Sequence, residues 1–214
     1  MAVADLTRGE SSTAGTVERR AEERAQASKL LGLSDRISLG LPDGRIGSDP
    51  AHRDQIVELL RQLRPLVVLA PAVEDRHPDH GAAGRLTREA CFFGGVEKLG
   101  RGQPHRPLRL YHYPLHHPCE PTIVLDVSAV WEQRMRAVAA YASQFGYPEA
   151  EGSPTALTGG GFLELLSARS RVYGAMAGVA HGEPYCSRGP VPVEELPGLR
   201  IPRPAGKPTY TTFM

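Results

Sequence analysis

Residues 65–80, PLVVLAPAVEDRHPDH, contain the stretch on which the fold turns. The apolar run 66–71 reads as a central parallel strand covered on both faces. Upstream, Ile56, Leu59, Leu60 and Leu63 recur at helical spacing across 51–63, and a second helix is expected over 82–99. Working outward, 1–6 (MAVADL) is a strand running into polar TRGE. SSTAGT (11–16) is a loop with Thr16 as a possible N-cap, and 17–31 carries a stripe of Ala21, Ala25, Leu30 and Leu31. A short strand at 36–41 is followed by the turn chemistry of PDGRIG. LRLYHY (108–113) and TIVLDV (122–127) read as strands, Ser128 can cap a helix over 129–145, and 161–179 reads as another helix. This order predicts an α/β fold, Rossmann-like, with a mostly parallel sheet flanked by helices. A single domain is expected over 1–186, with a Pro-rich irregular tail over 187–214.

Bulk properties narrow the function classes. With 214 residues the chain can bury one real core. A net charge of +1 without a Lys/Arg run gives no footprint for nucleic acid. No apolar stretch is long enough to span a bilayer, and the first residues lack the pattern of a secretory signal. The three cysteines are widely spaced and odd in number, which argues against a disulfide framework. No GxGxxG follows a strand, so a dinucleotide-binding domain is disfavoured. A cytoplasmic enzyme or binding domain is the expectation.

Ligands in open parallel sheets sit beyond the carboxyl ends of the strands. The segment 74–80, EDRHPDH, falls there and packs two histidines and three carboxylates into seven residues. Pro78 stiffens the loop between His77 and His80. Such a loop can offer one imidazole to a metal and the other to substrate, with a carboxylate fixing a tautomer. Two histidines three apart are equally at home as a solvated pair, so position after a buried strand carries the functional reading.

The second-motif pattern VVLAP followed by HPDHGA resembles that of the LmbE/PIG-L deacetylases. DLTRGE (5–10), GTVERRAEE (15–23), LGLPDGRI (39–46), QPHRPLRLYHYPLHH (103–117) and AYASQFG (140–146) are similar in order and spacing to the bacillithiol-pathway branch. The resemblance implies a zinc-dependent hydrolase that removes acetyl from a small sugar conjugate, N-acetylglucosaminyl-L-malate. It implies His80 as a zinc ligand, His77 as oxyanion stabiliser or acid, and Asp79 as the residue orienting His77. It also places Arg20, Asp43 and Arg106 at the substrate, with both arginines able to approach the carboxyl-edge cleft. The plain alternatives are an exposed helix charge for Arg20, a loop charge for Arg106 and a turn residue for Asp43.

The family also opens with an Ala-His-Pro-Asp-Asp motif that supplies two zinc ligands and the general base. This chain does not contain it, so the fold is expected to lack its first strand and the site to offer Zn2+ only His80. His112, His116 and His117 could substitute, although packing or rim positions suit them better. The function expected is that of a GlcNAc-malate deacetylase, weak or inactive in this chain. The alternatives are a deacetylase of another GlcNAc conjugate, or a non-catalytic sugar- or partner-binding remnant. Neither nucleic acid nor membrane is expected as a partner, and a homo-oligomer is allowed.

Overall fold

The computed structural model describes residues 1–145, 157 and 161–192. Their elements run β1 (Ala2–Asp5), α1 (Val17–Leu31), β2 (Asp35–Ser38), α2 (Pro50–Leu63), β3 (Val67–Pro71), α3 (Pro78–Phe93), β4 (Arg109–Tyr113), β5 (Ile123–Asp126), a 3-10 turn (Ser128–Val130), α4 (Trp131–Ala139), α5 (Ala142–Phe145), α6 (Phe162–Ala177) and β6 (Gly182–Tyr185). The α/β order is the one expected. The chain divides into two compact units, one of Met1–Ala2, Ile46–Ile123 and Tyr185–Met214, the other of Val3–Arg45 and Val124–Pro184. The tail beyond 192 and the end of the AYASQFG segment lie outside the described residues.

In the first unit, β3 and β4 pair in parallel with Val67 opposite Arg109 and Pro71 opposite Tyr113. α2 begins where Asp49 caps the Ala51 N–H and Pro50 occupies the first turn, whose N–H groups have no intrahelical acceptor anyway. Its buried face (Ile56, Val57, Leu59, Leu60) packs on α3, and α3 packs on β3. Leu60 is fully buried, worth roughly 2 kcal/mol relative to exposure. Arg61, 5% exposed, donates to the carbonyls of Gly94, Val96, Arg101 and Gly102. A buried cation there is tolerated because its donors are used.

In the second unit, α1 starts at Thr16, whose hydroxyl accepts the Arg19 N–H at 3.2 Å, and ends at Gly32 with φ 64. That left-handed conformation is one that glycine adopts without a Cβ penalty. α1 packs on α4. The Glu23 carboxylate, buried beneath α1, accepts from the Ser143 N–H at 2.6 Å and hydroxyl at 2.7 Å. Arg36 grips Asp5 with two bonds of 2.7 and 2.8 Å and also donates to Tyr141.

Three details differ from the sequence expectation. Among the described residues the strands form two-stranded ladders, β1–β2, β3–β4 and β5–β6, rather than one sheet. β6 is new: GEPY has poor strand propensity, and its pairing with β5 is what makes it a strand. The helix expected from 129 to 145 breaks at Ala140–Tyr141.

Candidate metal centre

α3 starts at Pro78, four residues earlier than periodicity indicated, so the histidine segment is a helix N-terminus rather than a free loop. Asp75 accepts the His77 N–H at 2.9 Å, the two-residue reach of an Asx turn. His77 is the N-cap, and its Nδ1 accepts the Asp79 N–H at 3.2 Å. Pro78 takes the first helical position. The first turns of α3 can lie on the β3 connection because Gly84 has no side chain. A Cβ there would meet the Pro71 carbonyl at 2.4 Å and that of Ala72 at 2.9 Å.

The parallel register then supplies the third side of the site. With Pro71 opposite Tyr113, the segments leaving β3 and β4 emerge at the same end, joined by an Ala72 N–H to Tyr113 carbonyl bond of 2.9 Å. This brings His116 to Asp75. Oδ1 of Asp75 lies 2.9 Å from Nδ1 of His80 and 2.8 Å from Nδ1 of His116, and Oδ2 accepts the His116 N–H at 3.0 Å. The donor atoms of Asp75, His80 and His116 all lie within 4.8 Å of one another. The rings form a row, His77 to His80 at 4.7 Å and His80 to His116 at 5.2 Å between centroids.

Burial opposes ionisation of the Asp75 side chain, which is 1% exposed. The hydrogen bonds from His77, His116 and His80 outweigh it and hold the carboxyl far below the usual carboxylate range. Burial also lowers the His80 pKa against the pull of Asp75, so its imidazole is neutral near pH 7. A carboxylate and two imidazoles form a donor set that suits a divalent ion of the zinc type. These residues fit the metal that the sequence resemblance implied.

The structure sets His80, the zinc ligand expected from the resemblance, beside Asp75 and His116 in a cluster that could hold a metal ion. Asp75 carried a usable signal, an acid two residues before a capping histidine. His116 was one of three histidines that the sequence allowed as substitutes, and nothing local set it apart from His112 and His117. His112 is a strand clamp, its Nδ1 2.7 Å from the Pro71 carbonyl. Asp79 is 6% exposed and its carboxylate accepts the Ile46 N–H at 3.3 Å.

Arg106 stands away from the cluster. It precedes β4, so parallel pairing puts it at the amino end of the strands, with its guanidinium 4.8 Å from the Phe92 ring and donating to the Phe92 carbonyl. Phe92 lies roughly 20 Å along α3 from His77, at about 1.5 Å per residue. Arg20 and Asp43 belong to the second unit. Arg20 packs beside Gly9 and 5.6 Å from the centre of the Tyr141 ring. Asp43 ties two loops together, its carboxylate accepting the Ser11 N–H at 3.0 Å and its own N–H donating to Glu10 at 2.9 Å.

The chain is an α/β protein whose carboxylate–histidine cluster, at the carboxyl end of a parallel strand pair, could hold a metal ion. Residues 1–91 match the family model described as PIG-L: GlcNAc-PI de-N-acetylase. A conserved protein from Thermus thermophilus is 40% identical, with a TM-score of 0.82 over 93% of this chain and 85% of that one. Residues 1–91 thus resemble the PIG-L de-N-acetylases, and the fold as a whole is that of the Thermus protein. Diacetylchitobiose deacetylase of Thermococcus kodakarensis is 32% identical over 148 residues, 65% of this chain and 54% of that protein. 4-Oxalmesaconate hydratase of Pseudomonas putida is 29% identical over 145 residues, 64% of this chain and 55% of that protein. The chain therefore spans about half the length of the curated relatives it matches.

Proposed function

We propose that this chain carries a divalent metal centre for removing acetyl from N-acetylglucosamine conjugates, with N-acetylglucosaminyl-L-malate of bacillithiol biosynthesis as the substrate. The observation that carries the reading is the convergence of Asp75, His80 and His116 beside His77. The deacetylase among the relatives supports the reaction class.

His80 and His116 would hold the metal through ring nitrogens, with Asp75 as the third donor or as the acceptor orienting both rings. When bound there, a zinc-type ion supplies Lewis acidity toward an acyl carbonyl. His77 has a role of its own. Because its Nδ1 accepts the Asp79 N–H, the neutral ring carries its proton on Nε2. That tautomer donates a hydrogen bond to an acetyl oxygen as negative charge builds on it. It is a poor proton giver, since losing the Nε2 proton would leave an imidazolate. The N-cap geometry therefore favours the oxyanion role over the acid role. Arg20 is proposed as a cation for the conjugate's carboxylates and Asp43 as an acceptor for sugar hydroxyls.

The test is acetate release from GlcNAc-malate, free GlcNAc and diacetylchitobiose by zinc-loaded protein, beside hydration of 4-oxalmesaconate. Acetate released fastest from the malate conjugate, and lost in His80→Ala, supports the reading. Hydration without acetate release would move the chain to the hydratase side of its relatives.

A further inference from the structure

A second site lies in the first unit. A cavity of about 620 Å³ is bounded by Arg88 of α3, by Leu110, Arg109 and His112 of β4, and by Arg188 and Val191 after β6. That volume is in the usual range for a small-molecule site. None of Asp75, His77, His80 and His116 lines it.

Its electrostatics are one-sided. Three guanidinium groups line one cavity, and among the described residues no carboxylate pairs with any of them. The NH1 group of Arg109 donates to the Leu108 carbonyl, but its Nε is buried with no acceptor. Burial lowers the His112 pKa against the hydrogen bond to the Pro71 carbonyl, and the charges of Arg88 and Arg188 lower it further. The two cations line the same cavity from α3 and from the segment after β6.

We propose that this cavity binds a small molecule through a multiply charged oxyanion, a phosphate or a dicarboxylate, held by Arg88, Arg109 and Arg188. Guanidinium forks match both groups by paired N–H···O bonds. Leu110 and Val191 offer apolar surface to the rest of the molecule.

The experiment titrates the full chain with inorganic phosphate and, separately, with succinate, by calorimetry at constant ionic strength with chloride as control. Saturable 1:1 binding of one probe, with Kd below about 1 mM, is expected. Which probe binds tells a phosphorylated ligand from a dicarboxylate. Arg109→Gln and the exposed Arg188→Gln should each weaken it at least tenfold with zinc content unchanged, and Arg188→Gln serves if the Arg109 variant misfolds. His80→Ala, which removes a metal ligand, should leave the Kd as it was. Binding no better than chloride, binding indifferent to the arginine variants, or binding lost in His80→Ala would each overturn the proposal.

Discussion

Oδ1 of Asp75 and Nδ1 of His116 lie 2.8 Å apart although 41 positions separate them in the chain. The same oxygen also receives His80 and the His77 N–H, so one carboxylate organises every histidine of the cluster. Asp75→Asn is therefore expected to weaken zinc binding by about 10–100-fold if the carboxylate orients the rings. A complete loss would make it a direct ligand. Competition against a chelating dye measures the difference.

The histidines should fail differently. His80→Ala and His116→Ala each remove a ring nitrogen from the donor set and should lose zinc, read as metal per chain after dialysis. His77→Ala should keep its zinc and lower kcat by about 10²-fold, as expected for loss of an oxyanion donor. Loss of zinc in His77→Ala with retention in His116→Ala would reverse the two roles.

Acid should reveal Asp75. Its folded pKa lies below the unfolded value, so the stabilisation is complete above about pH 4 and disappears as pH falls toward the folded value. In chelator-treated protein, wild type should exceed Asp75→Asn by about 2 kcal/mol at neutral pH, the scale of hydrogen bonds to a charged group. Thermal melts from pH 7 to 3 should show a gap that persists down to about pH 4 and narrows below it.

Gly84→Ala tests how α3 is seated. The added methyl would press on the Pro71 and Ala72 carbonyls, backbone atoms with no rotamer to escape through. A loss of about 3 kcal/mol in denaturant unfolding is expected, with a drop in zinc affinity as Asp75 and His80 shift together.

Arg106→Ala should leave metal content unchanged and cost less than about 1 kcal/mol, the scale of an exposed cation–π contact with Phe92. An effect confined to the malate conjugate in kcat/KM would restore the substrate role that the sequence resemblance gave this residue.

Sequence alone determined the local parts of this protein. Apolar periodicity was enough for α1 and α2, with Thr16 also marking the start of α1, because helical spacing and an N-cap act within a few residues of themselves. The continuous apolar run marked β3, and the HPDH segment marked His80 as a metal ligand candidate. Tertiary structure alone decided the rest of the centre. His116 reaches Asp75 through the parallel register of β3 and β4, and Arg106 is removed from the cluster by that same register. Strand pairing joins residues by backbone bonds that any side chain can make, so neither the register nor the ladder that makes GEPY a strand leaves a local signature in sequence.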